Sequence, residues 1–211
     1  MSDDSTPRDT RAALIAAGLH QFGRDGFAAS STRALAARAG TNVASIAYHF
    51  GGKEALRLAC AEEVLDRIAA VAGPPQEPAP MPAGQATARL AAMMRALAMF
   101  LTRAPGAADI VSFVLREMAE EGPALDLLYD RFFVHKHREL CALTAMATGR
   151  DPEDEDTRLL VFSILGQAIY FRLGQPLICR RMGWTGYDEA QARAIADRMV
   201  ANLHAILQAA A

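Results

Sequence analysis

Cysteine is scarce in this 211-residue chain: Cys60, Cys141 and Cys179 stand far apart, odd in number, with no Cys-x-x-Cys pair. That excludes a disulfide scaffold and a paired-cysteine metal module, and reads as reduced, mostly buried thiols. Long apolar runs are missing as well. The most apolar window, 159–171, is interrupted by Gln167 and falls short of the ~20 residues a membrane-spanning helix needs. The opening MSDDSTPRDT is acidic and polar, so no secretory signal is expected, and a cytoplasmic chain without membrane contact is. Gly-x-Ser-x-Gly, a phosphate loop and His-Glu-x-x-His are all absent, so no catalytic residue, no cofactor and no enzyme activity is expected. The acidic run Glu153, Asp154, Glu155, Asp156 reads most simply as a solvated helix entrance.

Present instead is a chain of 52% apolar and 22% charged residues, enough for a sizeable core. Its formal charge of −2 conceals an asymmetry. Residues 8–60 hold seven basic side chains (Arg8, Arg11, Arg24, Arg33, Arg38, Lys53, Arg57) and three acidic ones (Asp9, Asp25, Glu54), a local net of +4. A positive footprint confined to one end is the electrostatic requirement for contact with a polyanion.

The apolar pattern has helical periodicity from end to end, which predicts an all-α protein. A first helix is expected from Thr6 or Pro7 to Phe22, with Leu14, Ile15, Gly18, Leu19 and Phe22 inward. Another begins near Lys53 with Leu56, Cys60, Val64, Ile68 and Val71 on one face. Residues 73–84 carry five prolines and no periodicity, which reads as a linker or mobile loop. Further helices are expected over 85–103, 107–120, 123–148, 155–181 and 187–209, about nine in all, with Asp188 capping the last.

The densest signal is residues 31–50, STRALAARAGTNVASIAYHF. Ser31 or Thr32 caps a short helix in which Leu35 and Ala36 face inward and Arg38 outward. Gly40 makes the turn, because a residue without Cβ enters the left-handed region at little cost. Asn42 then caps a second helix, held to the core by Ile46 and Phe50. Two short helices joined in this way form a helix-turn-helix, whose second helix reads bases from its N-terminal residues in the major groove. Asn42, Val43, Ala44, Ser45 and Ala47 are the candidates for base contact or close approach, with Ala47 able to meet a thymine methyl. Thr32, Arg33, Tyr48, His49 and Lys53 are the candidates for phosphate contact.

From Arg8 to about Ile68 the chain resembles the DNA-binding domain of the TetR family of bacterial regulators. The resemblance rests on Ala16, Phe22, Gly26-Phe27, Ser31-Thr32, Leu35-Ala36, Ala39-Gly40, Tyr48-His49-Phe50 and Lys53-Glu54-Ala55-Leu56 in that order. AGTNVASIAYHFGGKEAL, followed by Arg116-Glu117-Met118, Leu165-Gly166-Gln167 and Phe171-Arg172-Leu173, is similar to the subgroup with a CerR-type (CecR-type) C-terminal domain. Three recognition-helix positions depart from the wider family: Val43 stands where Lys is frequent, Ala44 where Gly is, and Ala47 where an aromatic often sits. Operator sequence and some phosphate contacts are therefore not carried over. The resemblance implies a reader domain over 8–68 and an effector-binding and dimerisation domain over 85–211. It further implies a homodimer through the last two helices, a palindromic double-stranded DNA operator, and release by a small-molecule effector.

Polar residues inside apolar helical stretches mark the expected effector cavity. Met94, Phe113, Glu117, Phe133, His137, Gln167 and Tyr170 are the candidate ligand residues, since adaptable apolar walls with a few polar groups typify such sites. Glu117 and Gln167 are the pair to test first. His135, His137 and Cys141 raise a metal reading, but only two of them share a helical face, and two donors do not close a site. A polar face over a buried thiol is the preferred account. Two alternatives stay open: control by a protein partner in place of a small molecule, and activation in place of repression.

Overall fold

A computed structural model describes residues 7–211, and the described residues form helices without strands. In chain order these are α1 (Pro7–Asp25), α2 (Thr32–Arg38), α3 (Ala44–Phe50), α4 (Lys53–Ala72), α5 (Ala83–Arg103), α6 (Ala107–Glu120) and α7 (Pro123–Leu128). A π-helical turn (Tyr129–Phe133) leads into α8 (Val134–Thr148), followed by α9 (Glu155–Leu173), α10 (Gln175–Met182) and α11 (Glu189–Ala210). The alternative start of the first helix at Thr6 lies outside the described residues.

Two of the nine expected helices are divided. The segment 123–148 contains the π turn. The segment expected over 155–181 ends at Leu173, because Gly174 and Pro176 interrupt it. Proline has no N–H to continue the ladder, and its ring blocks the carbonyl four residues back. Gly174 is packed so tightly that a Cβ there would lie 2.9 Å from the Tyr170 carbonyl oxygen. The last helix begins as expected at Asp188, whose carboxylate accepts from Gln191 N while the Gln191 side chain accepts from Asp188 N, a complete capping box.

The chain divides into two compact units. One comprises residues up to 67 together with 108–131, the other 68–107 together with 132–211. Grouping α6 with the N-terminal helices differs from the division expected at the proline-rich segment, and close packing explains it. Gly23 of α1 lies against the backbone of α6, where a Cβ would stand 2.8 Å from Phe113 N. The first unit is built on Leu14, Phe22, Leu35, Ile46, Leu56, Val64, Ile110 and Phe113, all buried.

In the second unit α5 packs against α11, α8 and α9. Leu90, Met94, Val161, Ile164, Ile195, Met199 and Leu203 supply the core. Residues 73–82 are not helical, yet they are tied down. Lys136 Nζ donates to the carbonyls of Ala72 (3.1 Å) and Pro74 (3.3 Å), and Glu139 accepts from Gln76 N at 3.2 Å. Lys136 and Glu139 are both buried and paired at 2.7 Å, with Arg89 also on Glu139 at 2.7 Å. The segment with five prolines is thus anchored by a buried ion cluster, the kind of satisfaction a buried charge requires. No single described helix is long and apolar enough to cross a membrane.

Candidate DNA-reading surface

The local chemistry of 31–50 follows the expected pattern. Ser31 Oγ accepts from Ala34 N at 3.1 Å and opens α2. The chain leaves α2 through Gly40 at φ +67°, with Thr41 N donating to the Ala36 carbonyl at 3.0 Å. Asn42 Oδ1 then accepts from both the Ser45 N–H (3.0 Å) and the Ser45 hydroxyl (3.2 Å), and the Ser45 oxygen lies 2.8 Å from Thr41 Oγ1. The entrance to α3 is therefore held by a three-residue network. Asn42→Ala removes its acceptor and is expected to cost about 1 kcal/mol of stability, measurable by denaturant unfolding of the full chain.

Ile46 is 1% exposed and pins α3 to the core, while Val43, Ala44, Ala47 and Tyr48 are exposed on the opposite side. Asn42 and Arg33 are exposed beside them, and Thr32, Ser45 and His49 are half-buried. Tyr48, at 81% exposure, meets the His49 ring edge-on at 4.9 Å. The expected base-contact residues thus share one small-residue surface at the start of α3. Phe50 is half-buried, with the Arg11 guanidinium 5.3 Å from its ring centre.

Lys53 behaves differently from a free phosphate ligand. Its ammonium donates to the carbonyls of Phe27 (2.9 Å) and Ser30 (3.0 Å) and sits 4.1 Å from the Phe27 ring centre. Two of its three N–H groups staple the α1–α2 loop to the start of α4.

Beneath this lies an ion network that sequence reasoning missed. Arg57, on the inward side of α4, donates from Nε to both oxygens of Glu117 at 2.8 and 3.0 Å, and from Nη2 to Glu120 at 3.0 Å. The guanidinium also covers Phe27 at 4.6 Å, and Glu120 accepts from Phe27 N at 3.3 Å. Glu117 is wholly buried and Arg57 nearly so. Burial pushes the Glu117 carboxyl up, and Arg57 pulls it back by hydrogen bonding and by charge; the net direction is upward. A signal existed: Arg57 sits three and seven residues before Cys60 and Val64 on an apolar stripe, and Glu117 falls within an apolar helix.

The expected ligand residues are divided between the two compact units. Phe113 and Glu117 belong to the first unit, one in its core and the other bound to Arg57. Met94 is buried on α5, and Phe133 is half-buried, edge-on to Phe132 at 5.9 Å. His137 stacks on Phe162 at 4.1 Å and lies 3.6 Å from Cys141 Sγ. Burial holds the His137 pKa below its ordinary value and pushes the Cys141 thiol up to about 11. Gln167 accepts from Asn202 at 3.0 Å, and Tyr170 is largely exposed. Among the described residues no group of three or more His, Cys, Asp or Glu could hold a metal ion.

Comparison with known proteins agrees with this geometry. Residues 14–60 match the family described as bacterial regulatory proteins, tetR family, and residues 86–210 match the C-terminal domain of the HTH-type transcriptional dual regulator CecR. The chain is 34% identical over 201 residues to the HTH-type transcriptional dual regulator CecR of Shigella flexneri, covering 92% of this chain and 90% of that one. The protein belongs to the TetR family. As a TetR-family regulator with a CecR-type C-terminal domain, it binds DNA and controls transcription, and it is not an enzyme. Solved TetR-family folds superpose along nearly its whole length. AibR, crystallised with isovaleryl coenzyme A and operator DNA, aligns with a TM-score of 0.65 at 22% identity, over 90% of this chain and 96% of its own. A transcriptional regulator from Pseudomonas aeruginosa PAO1 aligns with a TM-score of 0.64 at 22% identity, over 99% and 97%.

Proposed function

We propose that this regulator is a homodimeric repressor that reads a palindromic operator through α3 and releases it when a small apolar or amphipathic effector binds residues C-terminal to the reader. The observation that carries the DNA-reading part is the stripe Val43, Ala44, Ala47, exposed beside a side-chain-capped helix start at Asn42. Small side chains permit close approach to the groove floor, and the N-terminal turn of a helix is where base edges are met. The Asn42 amide N–H₂, unused in the cap, offers donors to a base, and Arg33, Thr32 and Tyr48 flank the stripe for phosphate contact. Lys53 acts by holding the α1–α2 loop in place.

The effector part draws support from AibR, which binds both an acyl-CoA and operator DNA. Release follows if the effector prefers a spacing of recognition helices that no longer matches successive major grooves; by linkage, operator DNA then weakens effector binding equally. A second reading, activation at some promoters, is favoured by the description of the Shigella relative as a dual regulator.

The test is a titration of the purified protein against DNA upstream of its own gene, at two salt concentrations. Saturable binding that survives excess random DNA supports the reading, and binding abolished equally by random DNA overturns it for that site. Arg33→Ala is expected to weaken binding to all sequences alike and to reduce the salt slope by about 1 per half-site.

A further inference from the structure

Family membership gives the DNA contact, and the hydrogen bonds around Asn42 bear on the kind of base edge it meets. Within residues 41–47 only Thr41, Asn42 and Ser45 have polar side chains; Val43, Ala44, Ile46 and Ala47 have none. Asn42 Oδ1 accepts from Ser45 N at 3.0 Å. A backbone N–H only donates, so the arm of the amide that faces it must be the oxygen. The same oxygen lies 3.2 Å from Ser45 Oγ, and Ser45 Oγ lies 2.8 Å from Thr41 Oγ1. A carboxamide oxygen only accepts, so the single hydroxyl proton of Ser45 goes to Asn42. Thr41 is then the donor to Ser45. The donors run one way, Thr41 to Ser45 to Asn42, and both hydroxyl protons are used.

The other arm of the Asn42 amide is left over. Its Nδ2 carries two N–H groups, belongs to an exposed side chain, and has no hydrogen-bond partner among the described residues. Asparagine ordinarily reads adenine with both arms, the nitrogen donating to N7 and the oxygen accepting from N6. Both lone pairs of this oxygen are already taken, by Ser45 N–H and by Ser45 O–H.

We infer that Asn42 is a donor-only reader that selects guanine over adenine in the major groove. Resting on the reading of DNA through α3 proposed above, this names the base edge that is met. Guanine presents two adjacent acceptors, N7 and O6, to the two N–H groups. Adenine presents N7 beside an N6 donor, and cytosine presents a donor alone, so each sets N–H against N–H. Thymine offers the single acceptor O4 beside its methyl group. Turning the oxygen toward adenine N6 would strip Ser45 N and the Ser45 hydroxyl of their acceptor, which sets the two purines further apart. Thr41 and Ser45 are positioning residues in this scheme, since they fix which arm of the amide is free.

Selection of sites for the full-length protein from a random duplex library, followed by anisotropy titrations with single modified bases, tests this. The position that depends on Asn42 is expected to be guanine. Replacing that G·C pair by A·T is expected to weaken binding about 10- to 100-fold, and 7-deazaguanine, which lacks only N7, about 10-fold. Inosine keeps N7 and O6 and is expected to bind as guanine does. Asn42→Asp retains an oxygen for Ser45 N but has no N–H, so it should keep the cap and lose the discrimination. Its added charge lowers affinity for every duplex alike and cancels from the ratio. A protein that enriches no sequence overturns the DNA reading and this inference together. An enriched site overturns the inference alone if the Asn42-dependent position is adenine or a pyrimidine, if 7-deazaguanine binds as well as guanine, or if Asn42→Asp discriminates as before.

Discussion

Arg57→Ala is expected to remove about 3–5 kcal/mol of folding stability, because it strands the carboxylate of Glu117 in the interior. Arg57 supplies both hydrogen bonds that Glu117 receives from it, and Glu117 has no exposed surface through which water could replace them. Glu117→Ala should fall at the lower end of that range, since Arg57 keeps Glu120 at 3.0 Å and the Phe27 ring. The double replacement Arg57→Met with Glu117→Met should recover most of the loss, because a buried pair often adds little beyond what apolar packing of the same volume provides. Chemical denaturation of the four proteins measures this. A double variant that loses as much as the two single variants together would show that the pair is not coupled.

The same variants carry a pH signature. The folded pKa of Glu117 already lies above its ordinary value, because burial outweighs Arg57. Its stabilising contribution is therefore fully present below the unfolded pKa and falls as pH rises through the folded one. Removing Arg57 deletes the influence that pulls the pKa down and moves the folded value further up. The deficit of Arg57→Ala should accordingly be smaller near pH 5 than near pH 7, within reach of a carboxylate raised by burial. A deficit that grows on acidification would reverse the assignment.

The second large effect belongs to α9. Phe162→Glu places a charge in the exposed apolar stripe of Leu159, Phe162, Ile169, Tyr170 and Leu173, where Phe162 is 60% exposed within the chain. The isolated chain should tolerate it, losing chiefly the stack on His137. Under the homodimer proposed above, self-association should be lost if this stripe is the contact, because the glutamate would be buried against apolar side chains without a partner. Operator affinity should then drop by about 100-fold or more, as two linked half-site contacts become two independent ones. Sedimentation and fluorescence anisotropy on the same sample check both parts. A variant that stays dimeric with unchanged affinity places the interface elsewhere.

The helix-turn-helix was legible in residues 31–50, because every rule that shapes it is short-ranged. Ser31 caps a helix three residues on, Gly40 supplies a positive φ, and Asn42 caps Ser45. The all-helical fold was legible for the same reason, since helical bonds close within four residues. The end of α9 was also written locally, in Gly174 and Pro176, and the expectation of one helix over 155–181 passed over it.

The long-range pairings were decided only by the tertiary structure. Glu117 and Gln167 looked alike in sequence, polar residues within apolar helices, yet one meets Arg57, 60 positions away, and the other Asn202, 35 positions away. Lys53, read as a phosphate ligand, turned to carbonyls of the preceding loop, and the proline-rich segment proved to be held by Lys136 and Glu139. A buried charge must find an opposite charge or a carbonyl wherever the packed helices bring one within reach. Neighbours along the chain do not encode that approach. The sequence by itself determined that the chain is helical and that residues 31–50 form two short helices about a turn, and the packing of those helices decided which charges are buried together and which face of α9 remains uncovered.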